Sequence, residues 1–234
     1  MKKLKKHFNI NSSRYYLYLE IKHFAKNINS GSLVLDAGAG DAPYKDLFKD
    51  INYHSTDFGK VNKIYAPCTY ICDLVSIPIR SNSYDAIIFT QVLEHVPEPE
   101  LVLQELFRIL KPGGIMFFTS PLFFSEHEIP YDFYRYTKFG LNYLFDKVGF
   151  SIERINWLEG YFGTLGYQYE HESRDLPYLP RQFSNKIVFY LIAPFLLIHK
   201  ILAFILSILF YKLDRYYKYT NSGYPKNYLA IVKK

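Results

Sequence analysis

Two groups of residues in this chain of 234 could do chemistry. The first is a set of acids and glycines. Leu33-Val34-Leu35 runs into Asp36-Ala37-Gly38-Ala39-Gly40-Asp41-Ala42, an apolar stretch that ends in a carboxylate and breaks at once into small residues. Gly38 and Gly40 have no Cβ, so the backbone can take positive φ there and a ligand can come within van der Waals distance of it. Asp57, Asp73 and Gln91 follow. Carboxylates accept hydrogen bonds from both hydroxyls of a ribose and attract an ammonium or sulfonium. A pyrophosphate would instead sit on the helix N-terminus after the glycines, where Asp41 would repel it. A nucleotide-like ligand is the first candidate, and that repulsion counts against a dinucleotide.

The second group lies in residues 121–136, a long aromatic and polar segment holding His127, Glu128, Asp132 and Arg135. Histidine ionises near neutrality, which makes His127 a candidate general base, with Glu128 or Asp132 to orient it. The plainer reading is a lid whose polar side chains hold one another in shape. Cys68 and Cys72 are the only cysteines, too few for a disulfide framework or a zinc site, and they suit a reducing cytosol.

These groups need elements to position them. Apolar runs at residues 32–37, 51–57, 69–73, 84–90, 115–120, 150–158 and 228–232 read as strands. Helical spacing marks 42–49, with Pro43 in its tolerated first turn. It also marks 98–110, with Leu101, Leu106, Ile109 and Leu110 inward, and a segment from Thr137 to a stop at Gly149. Lys111-Pro112-Gly113-Gly114 reads as the turn into the fifth strand. Residues 12–30 read as a leading helix capped by Ser12 and Ser13, with Tyr15, Leu19, Phe24 and Ile28 inward. Alternating strands and helices imply a mostly parallel sheet whose ligand lies outside the carboxyl ends of the strands. Asp36, Asp57, Asp73 and Gln91 fall at four such ends.

With those residues in view, the chain resembles a class I S-adenosylmethionine-dependent methyltransferase. The resemblance rests on Leu35-Asp36-Ala37-Gly38-Ala39-Gly40, Asp57, Cys72-Asp73-Leu74, Gln91-Val92-Leu93-Glu94-His95-Val96 and Arg108-Ile109-Leu110-Lys111-Pro112-Gly113-Gly114. It covers about residues 33–150 and the terminal strand. It implies a doubly wound, Rossmann-like α/β sheet of seven strands, mostly parallel, with an antiparallel last strand. It also implies S-adenosylmethionine as cofactor, with Asp36, Ala37, Gly38 and Gly40 at the methionine moiety and Gln91 at the same end. Asp57 and Phe58 then fall at the ribose, and Asp73 and Leu74 at the adenine. Ala42 departs from the pattern, since a third glycine is common there. The segment from His127 to Thr137 resembles a loop of methyltransferases in cell-surface glycan and glycolipid synthesis, which points to a sugar hydroxyl as acceptor. Gln91-x-x-Glu94-His95 is similar to a segment that holds a divalent ion in quinone O-methyltransferases. With Gln91 in place of the first acid no metal is expected, and His95 reads as an ordinary helix-start residue.

The size suits one domain, residues 1–234, with an embellishment at 181–220. Within it, residues 187–211 are apolar apart from Pro194, His199, Lys200 and Ser207. Their length would nominate a membrane span. Lys200 near the centre and basic residues at both ends argue against a single crossing, as does the pairing of the last two strands that the resemblance implies. The expectation is a helical hairpin or kinked helix, in two halves about Lys200, resting on one leaflet with both ends cytoplasmic. A dimer interface or a helical cap buried against the core is the alternative. The formal charge of +6 is scattered except for Lys2, Lys3, Lys5 and Lys6, so nucleic acid is not expected as a partner. No apolar core follows that basic run, so it is not a secretory signal. The expected activity is methyl transfer to a small or lipid-linked acceptor at the inner face of the cell membrane. The rival readings are a cofactor-binding scaffold without turnover and a nicotinamide oxidoreductase.

Overall fold

The computed structural model describes residues 11–59 and 66–234, so the run from Lys2 to Lys6 lies outside the described residues. Seven strands form one sheet: β1 (Leu33–Ala37), β2 (Asn52–Asp57), β3 (Tyr70–Ile71), β4 (Tyr84–Thr90), β5 (Leu110–Pro121), β6 (Ser151–Trp157) and β7 (Asn227–Lys233). Their spatial order is β3-β2-β1-β4-β5-β7-β6. The first five strands pair in parallel, and β7 runs antiparallel to both β5 and β6. From β1 the chain builds outward to β2 and β3, then returns to place β4 on the other side. That reversal opens a crevice at the carboxyl ends of β1 and β4. Val34, Leu35, Ala86, Ile87, Ile88 and Phe89 are fully buried, as in parallel strands covered on both faces.

Among the described residues, three helices belong with this sheet: α1 (Ser12–Lys26) from Leu17 onward, α2 (Pro99–Ile109) and α3 (Lys138–Val148). In α3 both end signals act as the sequence implies. Thr137 Oγ1 accepts the Gly140 N–H at 3.1 Å, and Gly149, at φ 100°, donates its N–H to the Phe145 and Asp146 carbonyls. In α2 the buried residues are Val102, Leu103, Leu106 and Ile109. Leu101, expected inward, is 46% exposed, because it sits about 100° of helical rotation off that face. α1 buries Leu17, Ile21, Phe24 and Ala25, with the Phe24 ring 5.4 Å from Phe117; Leu19 faces out. Asn11 Oδ1 accepts the Arg14 N–H, and Ser12 and Ser13 lie within the helix instead of before it.

Three further expectations are corrected. Residues 42–49 form only a 3-10 turn at Lys45–Leu47, since Ala42 adopts φ 48°, a left-handed conformation that does not launch an α-helix. β5 begins directly at Leu110, so Lys111 to Gly114 are an irregular start to the strand, with the register shift against β4 between Tyr84 and Ala86. β3 is two residues long, which leaves Asp73 in the loop after it.

The chain divides into two compact units. Residues 17–158 and 227–234 hold the whole sheet. Residues 11–16 and 159–226 form the other unit, built on α4 (Tyr161–Asp175), which the sequence reading missed, and α5 (Lys186–Tyr216). α4 and α5 run antiparallel in close contact. A Cβ on Gly166 would meet Tyr211 Cδ1 at 2.8 Å and one on Gly163 would meet Asp214 Oδ2 at 2.5 Å, so the missing side chains set the approach. Tyr211 donates its hydroxyl to Glu170 at 2.5 Å, and the Tyr169 and Phe210 rings stack. Of the two forms expected within 187–211, a hairpin or a kinked helix, the hairpin is absent, and one continuous helix runs through Pro194 and Lys200. Lys200 does not break it because Nζ donates to the Arg174 and Leu176 carbonyls at 3.1 and 2.9 Å, and His199 Nε2 lies 2.9 Å from Glu172.

Candidate active site

The carboxyl ends of β1, β2 and β4 open on a cleft with ≈ 970 Å³ of empty space, open solvent included. Of the residues assigned to the cofactor, Gly38, Asp57, Phe58, Asp73, Leu74 and Gln91 line it. Gly38 follows β1 at φ 75°, and a Cβ there would meet Val92 Cγ2 at 2.5 Å. Asp57, the last residue of β2, is 7% exposed; Oδ2 accepts the Gly40 N–H at 2.8 Å and Oδ1 the Gly59 N–H at 3.2 Å. Each carboxylate oxygen has a second lone pair, so Asp57 keeps acceptor capacity toward the cleft. Asp73 is exposed and accepts the Val75 N–H. Gln91, at φ 56°, donates from Nε2 to Thr119 Oγ1 at 3.1 Å.

Asp36, Ala37 and Gly40 do not line the cleft. Gly40 acts at one remove, by holding the Asp57 carboxylate. Ala37 is fully buried. Asp36 accepts the Tyr53 hydroxyl, and burial pushes its carboxyl up to about 7 against the downward pull of that bond.

Residues 121–136 lie over the segment that leads into α2. Phe133 and Tyr134 donate their N–H groups to the Glu94 carbonyl, and the Tyr134 and Tyr136 hydroxyls donate to the Pro97 and Leu93 carbonyls. Asp132 is gripped by Arg135 through two hydrogen bonds of 2.7 and 2.8 Å, which hold its carboxyl down at about 2. The same carboxylate accepts the His127 N–H at 2.9 Å and lies 3.4 Å from His127 Nδ1. His127 and Asp132 are thus together, but neither lines the cleft. The ring that does is His95, edge-on to His127 at 4.6 Å between centroids. His95 Nδ1 lies 2.6 Å from the Tyr131 carbonyl, so it is the donor and Nε2 is the basic nitrogen. Burial depresses the ionisation of His95, against the opposing pull of that bond. Its residue type was visible in the sequence, but its direction into the cleft was not.

Beside it, Glu94 is wholly buried, and neither carboxylate oxygen has a hydrogen-bond partner among the described residues. Burial pushes its carboxyl up to about 8. Glu94, His95 and His127 bring ligand atoms within 4.8 Å of one another, a set that could hold a divalent ion if the ion displaced the Glu94 proton. Across the cleft the Phe58 and Tyr131 rings meet edge to face at 5.8 Å.

A doubly wound sheet with carboxylates beside a glycine at its switch point has the chemistry to accept hydrogen bonds from a nucleoside. Residues 35–118 match the family described as Methyltransferase domain. The chain is 34% identical over 118 residues to the tRNA (carboxymethyluridine(34)-5-O)-methyltransferase ALKBH8 of Mus musculus, covering 46% of this chain and 17% of that protein. It is 35% identical over 104 residues to the demethylmenaquinone methyltransferase of Renibacterium salmoninarum, covering 40% of this chain and 44% of that one. The chain therefore spans less than half the length of these curated relatives. Among solved structures, a SAM-dependent methyltransferase from Archaeoglobus fulgidus superposes with a TM-score of 0.52 at 17% identity, over 93% of each chain. Residues 35–118 thus carry a methyltransferase domain, and the fold around them is shared with S-adenosylmethionine-dependent methyltransferases, a class whose cofactor is S-adenosylmethionine.

Proposed function

We propose that this protein transfers a methyl group from S-adenosylmethionine to a hydroxyl of a small or lipid-linked acceptor, a precursor of a cell-surface glycan or glycolipid, on the cytoplasmic side of the cell membrane. The observation that carries methyl transfer is the cleft itself, where Gly38, Asp57, Asp73 and Gln91 converge from four segments. The cofactor supplies an electrophilic methyl on a sulfonium. In this assignment Asp57, positioned by Gly40, accepts the ribose hydroxyls, Asp73 and Leu74 hold the adenine, and Phe58 closes over the sugar. Gly38 and Gln91 meet the methionine end, and the buried Asp36 and Ala37 shape the loop from behind. The candidate base is the His95–His127 pair: His95 is the imidazole at the cleft wall that reaches the acceptor's proton where one must be lost, and His127, held by Asp132, packs edge-on behind it. Positioning supplies much of the rate in such a displacement.

The first test is calorimetric titration with S-adenosylhomocysteine, with NAD as control. Binding of S-adenosylhomocysteine alone supports the assignment; NAD binding alone would replace it with an oxidoreductase, and binding of neither by folded protein would leave a scaffold. Incorporation of labelled methyl into an envelope glycolipid fraction then tests the acceptor. A second reading is favoured by the similarity to tRNA methyltransferases, which leaves the expectation of no nucleic-acid partner without support. Labelled methyl appearing in bulk tRNA and not in glycolipid would establish that reading instead.

A further inference from the structure

α5 buries Phe189, Ala203, Ser207, Tyr211 and Asp214. At about 100° per residue these fall on one stripe, with Lys200 within it and His199 at its margin, where both are engaged by α4 and the residue after it. The remaining arc is about 200° wide by the same helical geometry. It presents Ile187, Leu191, Phe195, Ile198, Leu202 and Leu209, each more than half exposed. Between Ile187 and Leu209, about 33 Å along the axis at 1.5 Å per residue, this arc holds no charged residue. Exposed Lys186 and Lys212 bracket it, and Tyr216, 92% exposed, lies on the same arc beyond Lys212.

We propose that this face of α5 docks in the plane of an anionic membrane, with the helix along the boundary between headgroups and acyl chains and α4 on the aqueous side. The width of the arc selects lipid over a protein partner. One packed helix covers a stripe of roughly 100°, whereas lipid covers an apolar surface of any width. The terminal lysines and the tyrosine supply the cationic and amphipathic contacts that headgroups take. The length of α5, with an 18-residue stretch of mean hydropathy 2.3, would also permit a crossing. α4 argues against one: Glu172 and the carbonyls of Arg174 and Leu176 meet the middle of α5 at His199 and Lys200. A perpendicular helix would therefore carry Glu170, Glu172, Arg174 and Asp175 to the depth where charge is most costly. The inserted segment also leaves and rejoins the sheet at one place, where the Leu158 N–H donates to the Asn227 carbonyl at 2.9 Å. In the planar pose Lys200 faces α4 and away from lipid, so its charge does not oppose docking.

The test is flotation of the full chain with vesicles of phosphatidylcholine alone or mixed with phosphatidylglycerol. The protein should float with the mixed vesicles and much less with phosphatidylcholine. Leu191→Asp and Leu202→Asp, both at exposed positions, should each weaken partitioning roughly tenfold with an unchanged circular dichroism spectrum. Lys186→Gln with Lys212→Gln should lose the preference for anionic lipid. Environment-sensitive probes on Leu191→Cys, Ile198→Cys and Leu209→Cys, in a Cys68→Ser, Cys72→Ser background, should report one shallow depth, with a probe on Glu172→Cys in water. No flotation with either vesicle overturns the proposal, as does a dimer that Leu191→Asp dissociates without any vesicle binding. Depth graded from Leu191 to Leu209 would replace docking with crossing. None of these readouts involves methyl transfer, so a failure to bind S-adenosylhomocysteine would leave the membrane result standing.

Discussion

Replacing Gly38 by alanine tests the geometry of the cleft most directly, because the structure separates two costs at neighbouring positions. At Gly38, φ is 75° and an added Cβ meets Val92 Cγ2 at 2.5 Å and Cγ1 at 2.8 Å. At Gly40, φ is 55° and nothing lies within 4 Å of an added Cβ. The left-handed backbone alone costs an alanine about 1–2 kcal/mol. Overpacking adds about 1–3 kcal/mol, since Val92 is anchored by the buried Leu93 beside it. Gly38→Ala should therefore destabilise by about 2–5 kcal/mol and Gly40→Ala by about 1–2 kcal/mol, each offset by less than about 1 kcal/mol from a less flexible unfolded chain. Adding Val92→Ala removes the clash but leaves the backbone strain, so the cycle of Gly38→Ala with Val92→Ala should show a favourable coupling of about 1–3 kcal/mol. Urea denaturation gives the stabilities, and S-adenosylhomocysteine titration gives the site, where Gly38→Ala should lose more affinity than Gly40→Ala. Equal destabilisation at the two glycines, or a coupling of zero, would refute the claim that Val92 presses on the loop.

Three other perturbations have outcomes fixed by the same structure. Asp57→Asn keeps the shape but removes charge from the acceptor, so affinity for S-adenosylhomocysteine should fall roughly 10- to 100-fold, read by calorimetry. His127→Ala should lower methyl incorporation roughly 100-fold or more with cofactor affinity unchanged; full incorporation would leave His127 a lid residue and pass the role of base to His95. Glu94 gives a pH signature. Its folded carboxyl titrates near 8 against an ordinary 4.5, so between those values the folded state holds a proton that the unfolded chain has lost. Stability therefore falls as pH rises through that window, by up to about 1.4 kcal/mol per pH unit, and levels off above it. Asp36, raised to about 7, adds to the same slope over the lower part of the window. Glu94→Gln should flatten the profile by Glu94's share in urea midpoints taken from about pH 5 to about pH 9, and an unchanged slope would show that the carboxyl ionises freely in the fold.

Much of the architecture is written in local patterns. The apolar runs of β1 and β4 announce strands covered on both faces, and Thr137 and Gly149 mark the ends of α3 because capping and the left-handed stop are decided within four residues. The acids and glycines that face the cleft were legible for a similar reason, since strand ends and glycine-rich loops are local events with a fixed place in a doubly wound sheet. Where several local signals competed, the reading failed. Pro43 suits a helix, but Ala42 at φ 48° prevents one, and α4 carries Gly163 and Gly166, helix-disfavouring residues whose purpose shows only in the approach of Asp214 to the first and Tyr211 to the second.

What the sequence determined by itself, then, is the order of elements, the acid and glycine set, and the existence of a long apolar segment before the last strand. Tertiary structure alone decided which of those side chains share a surface. Asp36 turns to Tyr53, Gly40 serves Asp57, and His95 faces the cleft while His127 stands behind it, gripped by Asp132. Lys200, a charge within an apolar helix, is satisfied by the Arg174 and Leu176 carbonyls at the end of α4. Each of these depends on the register of one segment against another far away in the chain, and no spacing within either segment encodes it.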